Sequence, residues 1–212
     1  VVERAGPGVV VDSLGVPGLR AENLLQSEGA TLRDNLRRRR PDLLVVAFGT
    51  VEANHPGFDP SGYSAVMQRV IEHLRGGAPA ASCLVLGPPD RCWRAGRAGW
   101  ASRPVLARIV EAQRDAAAAT GCGFFDTRAV MGGPGSIDRW ARASPRLAQR
   151  DRVHLSPLGY DRVAALLESA LLSVTSSGSG APRRRPPGRE TGARGSPARS
   201  GEEPRRTRTP GP

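Results

Sequence analysis

Residues 43–54 read LLVVAFGTVEAN. Leu43 to Phe48 are apolar without a break, and a glycine and a polar segment follow. An uninterrupted apolar run of this length suits a strand covered on both faces, the situation of a parallel sheet. Three more short, mainly apolar runs also read as strands: Val9 to Leu14, Cys83 to Leu86 and Gly123 to Phe125. Helical periodicity fills the intervals. Ala21 to Arg39 carries Leu24, Leu25, Leu32 and Leu36; Tyr63 to Arg75 carries Val66, Val70, Ile71 and Leu74 and stops at Gly76-Gly77. Pro104 to Thr120 has Ser102 as its expected cap, and Ser156 to Leu172 opens with a cap serine and a first-turn proline. Alternating strands and helices predict an α/β domain, a parallel sheet with helices on both faces. In such sheets ligands bind beyond the carboxyl ends of the strands. GVPG (15–18), GTVEAN (49–54), GPPDRCW (87–93) and the segment 127–155 all fall there.

Composition divides the chain in two. Residues 1–174 alternate apolar runs with polar loops, whereas 175–212 have no aromatic residue and little that is apolar. Such a tail cannot bury enough surface to offset its ordering entropy and is expected to be disordered. The chain has a net charge of +11, yet all 31 basic residues are arginine and much of the excess lies in the tail. No aromatic residues interleave the tail arginines, so no specific nucleic-acid partner is expected. Tethering to an anionic surface remains open for the tail, with salt-dependent binding lost on deletion. Arg37 to Arg40 suit a helix carboxyl end facing solvent. Cys83, Cys92 and Cys122 lack metal spacing, and Cys83 and Cys122 read as buried thiols. No cofactor or metal is called for. No stretch is long enough to span a membrane. The chain begins Val1-Val2-Glu3, so a targeting signal is not observable, and compartment and oligomeric state stay open.

The strongest chemical signal is DRVHLSPLGY, Asp151 to Tyr160. An Asp three residues before a His, at the mouth of a closing helix, can set the imidazole tautomer and stabilise the imidazolium. A capping Asp and a structural histidine are the plain alternatives. With GVPG (Gly15 to Gly18), FGTVEAN (Phe48 to Asn54) and GCGFFD (Gly121 to Asp126), this block resembles the SGNH/GDSL hydrolase family. MGGPGSIDRW, Met131 to Trp140, resembles bacterial members thought to deacetylate glycans. The resemblance implies a flavodoxin-like, three-layer parallel sheet and an ester hydrolase acting through an acyl-enzyme. Its substrate would be a small ester or an acetylated glycan. By the same resemblance His154 is the general base, Asp151 orients it, and Gly18 offers a backbone N–H to the oxyanion. Gly15 and Gly18 equally suit a tight turn. His55 and His73 read as surface residues. Trp93, Trp100 and Trp140 either line the pocket or anchor a surface.

Two departures qualify the resemblance. Val51 stands where the family has an asparagine whose amide helps hold the oxyanion, and loss of one such donor costs about 10²–10³ in turnover. Asn54 substitutes if the loop bends back, and Glu52 has a structural role by default. The family's nucleophile lies on a first strand, with a glycine-ended strand before the FGTVEAN strand. Residues 19–41 show no such strand, so VVVDSLGVPG (9–18) aligns with the glycine-ended one and the nucleophile strand is expected upstream of Val1. Ser13 is the nucleophile only if that alignment is wrong. The sequence therefore predicts a domain lacking its first strand and inactive alone, or else an inactive module of the same fold that binds a glycan or partner.

Overall fold

A computed structural model describes residues 8–26, 29–55 and 57–177. Along the chain run α1 (Asn23–Gln26), α2 (Gly29–Arg39), β1 (Leu43–Ala47), α3 (Tyr63–Arg75), β2 (Ser82–Leu86), β3 (Cys92–Arg94) and β4 (Trp100–Ser102). Then follow α4 (Val105–Thr120), β5 (Gly123–Phe125), α5 (Thr127–Val130), α6 (Ser136–Arg142) and α7 (Pro157–Ser177). Three of the four expected strands form one parallel sheet in the order β1-β2-β5, with Val45 opposite Leu84 and Leu84 opposite Gly123.

Periodicity explains the main core. Met67, Val70 and Ile71 of α3 and Leu106 and Ile109 of α4 are fully buried, packed with Val46 of β1 and Val85 of β2. Leu44 of β1 packs with Leu36 of α2 and with Ala78 and Ala81. A smaller core joins Cys92, Met131, Ile137, Trp140, Ala148 and Leu155, against which Val163 of α7 packs. That second core carries the segment that ends in His154.

Several expectations need correction. Val9 to Leu14 is not a strand: apart from an isolated bridge at Val11 it is irregular, and Val9 is 85% exposed. A β-branched run gains from strand geometry only when a neighbour takes its backbone bonds and both faces are covered. The position beside β1 is unpaired among the described residues, and Leu43 and Val45 on its outer face are 41% and 51% exposed. The helix expected over 21–39 is represented by α1 and α2. Ser102 does not cap α4, whose N-cap position is taken by Pro104; its hydroxyl goes to Asp90 instead. The expected folded boundary at 174 falls inside α7, and the predicted disordered tail lies, from 178 onward, outside the described residues.

Cys83 and Cys122 are not free thiols but a disulfide, with Cα atoms 4.9 Å apart. The register explains it: Leu84 pairs with Gly123, so the residues just before them are cross-strand neighbours. The bond ties β2 to the start of β5. By loop-closure entropy it is worth roughly 3–4 kcal/mol. Replacing both cysteines by serine should lower unfolding free energy by about that amount in a denaturant titration. Superimposable curves would show that the cross-link contributes nothing.

Candidate active site

Two walls meet at the carboxyl end of β1. The first begins at Gly49, where the backbone takes φ +108° and a Cβ would press on Ile109 and Pro88 at 2.9 Å. Only glycine turns there without strain. Glu52, 2% exposed, then accepts from the Gly49 N–H at 2.9 Å, the Ala21 N–H at 2.8 Å and the Tyr63 hydroxyl at 3.1 Å. This is the structural role expected of it. Burial, with the Glu52 charge beside it, pushes the Tyr63 phenol far above its ordinary range, so Tyr63 stays a neutral donor. The loop so held presents Thr50, Val51 and Asn54.

The second wall carries the histidine. His154 Nδ1 lies 2.7 Å from Asp151 Oδ2, while Asp151 Oδ1 accepts from the backbone N–H of Val153 at 2.9 Å and of His154 at 3.1 Å. Arg152 between them sits at φ +56°, the left-handed bend that folds the carboxylate back under the ring. The loop is tied at both ends: Gln149 N–H donates to the His154 carbonyl at 2.8 Å and Cys92 N–H to the Arg152 carbonyl at 3.0 Å. Arg152 also pairs with Asp138 at 3.3 Å and lies 4.5 Å over the Trp100 ring. Ser156 accepts the Gly159 N–H at 3.2 Å, so the expected serine cap of α7 is present. Gly159 itself lies against the Leu147 carbonyl with no room for a Cβ.

Between the walls is a cleft of about 360 Å³ lined by Thr50, Val51, Asn54, His55, Arg91 and His154. His154 and Asn54, predicted from sequence, are thus brought together, with Asp151 behind the ring. Ser13 and Gly18 do not line the cleft; Ser13 is exposed, and Gly18 occupies a turn with φ +79°. Asn54 Oδ1 accepts from Arg103 Nη2 at 3.1 Å, which leaves the amide hydrogens as its donors. None of the three tryptophans lines the cleft: Trp93 and Trp100 lie on the β3–β4 hairpin and Trp140 is buried in α6. Two lining residues lacked a sequence signal: His55, exposed as expected of a surface residue, and Arg91. The position of Arg91 just past β2 was the available clue. Among the described residues no His, Cys, Asp or Glu group is arranged to hold a metal, and no helix is long and apolar enough to cross a membrane.

The profile of the GDSL-like Lipase/Acylhydrolase family matches residues 1–162. The chain belongs to that family. Among solved structures, it resembles a peptidoglycan O-acetylesterase at TM-score 0.67 and 25% identity, covering 76% of this chain and 45% of that one. An acetyl xylan esterase matches at TM-score 0.54 and 20% identity, with 74% and 78% covered. A lipase/acylhydrolase from Enterococcus faecalis matches at TM-score 0.52 and 19% identity, with 74% and 72% covered. These matches identify the SGNH-type hydrolase fold. The chain spans less than half the length of the O-acetylesterase it resembles. No curated protein sequence matches it.

Burial alone would raise the Asp151 carboxyl, but the hydrogen bonds from His154 and from the Val153 and His154 N–H groups outweigh it. The group is held below the usual carboxylate range. A depressed folded value contributes stability that is fully present above the unfolded carboxylate value near 4 and is lost as pH falls through the folded one. In thermal melts, the native chain should therefore exceed Asp151→Asn at pH 7, with the gap closing below about pH 4. A gap unchanged down to pH 2 would contradict the assignment.

Proposed function

We propose that this domain hydrolyses an O-acyl ester, an acetyl group on a glycan, with His154 as general base and Asp151 as its orienting partner. The observation that carries this reading is the 2.7 Å contact between His154 Nδ1 and Asp151 Oδ2 at the mouth of the strand-end cleft. With Nδ1 committed, Nε2 is the atom that accepts a proton from a serine hydroxyl. The serine oxygen attacks the ester carbonyl, the C–O bond to the sugar breaks, and the imidazolium returns its proton to the sugar oxygen. Water, deprotonated by the same nitrogen, then releases acetate and restores the serine. Asn54 supplies an amide donor to the oxyanion in place of Val51.

The serine is proposed to come from a strand that pairs with the free edge of β1. Two features support this: that edge is open among the described residues, and Val9 to Leu14, strand-like in composition, is not one of the strands of the β1-β2-β5 sheet. Such a strand would also draw the run ending at Gly18 into the sheet, bringing its N–H to the oxyanion. Residues 1–212 alone are then expected to be nearly inert. Without such a serine, His154 would be a base with no nucleophile to serve.

The second reading is a binding module of the same fold, favoured by Val51 at the position of an oxyanion donor. Acetate release from acetylated glycan and from p-nitrophenyl acetate separates the two. The chain extended upstream by its own coding sequence should hydrolyse both esters, and His154→Ala should reduce the rate by at least about 10³. Glycan binding without acetate release from the extended chain would favour the module. Robust, His154-dependent turnover by residues 1–212 would overturn the added strand.

A further inference from the structure

Arg91 is 9% exposed and lines the cleft beside His154. Its Nη1 donates to the Thr50 carbonyl at 2.7 Å, but its Nε is buried with no partner. Arg103 lies directly behind it, its backbone N–H on the Arg91 carbonyl at 3.2 Å. The Arg103 guanidinium rests 5.6 Å from the Trp93 ring centre, and its Nε is buried and unpartnered as well. Neither arginine holds a carboxylate among the described residues. Nearby Arg128 and Arg152, similarly covered, pair with Asp90 and Asp138. The acid closest in effect to Arg91 is Asp151, whose oxygens are already taken by the His154 ring and two backbone N–H groups. The buried Nε is out of reach of the cleft, so a ligand there meets only the Nη end; a covered guanidinium with no counter-anion is costly unless something anionic completes it.

We propose that Arg91, backed by Arg103, binds a carboxylate on the substrate, so that the ester entering the His154 cleft is one borne by an acidic glycan. The planar fork of Arg91 suits a carboxylate better than a neutral hydroxyl. Its anchorage on Thr50 holds the guanidinium in the wall of the cleft that His154 also lines. The cleft volume of about 360 Å³ is within the range for small-ligand sites, ~300–1,000 Å³. The substrate class rests on the esterase reading; the anion site itself does not.

Binding is therefore measured first, by calorimetric titration of the full chain with D-glucuronate and with D-glucose at low salt. Glucuronate should bind at least about tenfold more tightly than glucose, Arg91→Gln should remove that advantage, and Arg91→Lys should retain part of it. Equal binding of the two sugars, or glucuronate affinity unchanged in Arg91→Gln, overturns the proposal. If Arg91→Gln does not fold, Arg91→Lys and the salt dependence carry the test, and salt-insensitive binding overturns it.

Turnover then distinguishes the two sources of anionic oxygen. With acetylated glucuronate and acetylated glucose as substrates of the extended chain, Arg91→Gln should lower the kcat/KM ratio between them at least about tenfold, mainly through KM. An equal loss on both means that the guanidinium serves the oxyanion or the seating of the Thr50 loop and not a substrate carboxylate, which overturns the carboxylate site. Arg91-dependent glucuronate binding with no hydrolysis of either ester upholds the anion site and defeats the esterase reading.

Discussion

One buried carboxylate organises the first wall of the site. Glu52 takes hydrogen bonds from Gly49, Ala21 and Tyr63, groups that lie in three separate segments of the chain. Removing it would strand two backbone donors and a phenol in the interior, each at roughly 1–3 kcal/mol. The Gly49 turn allows the approach, and Gln113 of α4 reinforces it by donating to the Phe48 carbonyl at 3.0 Å. Thr50, Val51 and Asn54 follow within five residues of Gly49. Their places in the cleft are thus consequences of the Glu52 interaction rather than of their own contacts.

The second wall is held by a comparable but separate device. Asp90, fully buried, accepts from the Ser102 hydroxyl at 2.8 Å, from Arg128 at 3.2 Å and from the Ile137 N–H at 3.3 Å. It therefore joins the β3–β4 hairpin to α5 and α6, on whose apolar residues the His154 loop rests. Arg91 follows Asp90 directly and reaches across to the Thr50 carbonyl, so one residue connects the two walls. This explains how a histidine on an exposed loop is placed reproducibly against residues from a distant strand. The dyad needs orientation more than burial, and the Asp151 contacts supply it locally.

Much of this was legible in the sequence because the signals were periodic or local. The apolar runs at 43–48, 83–86 and 123–125 correspond to β1, β2 and β5, and the helical spacings at 63–75 and 104–120 to α3 and α4. Asp151 and His154 could be paired because three residues suffice to bring their side chains together. The failures were non-local. Val9 to Leu14 has the composition of a strand, but strand formation depends on a neighbour that composition does not reveal. The disulfide depends on β2–β5 register, and the β3–β4 hairpin on three-residue strands too short to show alternation. Arg91 resembled any other arginine in a chain with 31 of them. Its distinction, burial without an acid partner, exists only once the fold is formed.

The esterase reading joins these parts into one claim, that His154 serves a serine presented from a strand beside β1. Active-site labelling tests it most directly. The chain extended upstream by its own coding sequence is treated with a fluorophosphonate, and the adduct is mapped by peptide mass spectrometry. The account predicts a single phosphonylated serine in a segment that pairs with Leu43–Ala47, with labelling abolished in His154→Ala. Labelling of Ser13, or labelling indifferent to His154, would contradict it.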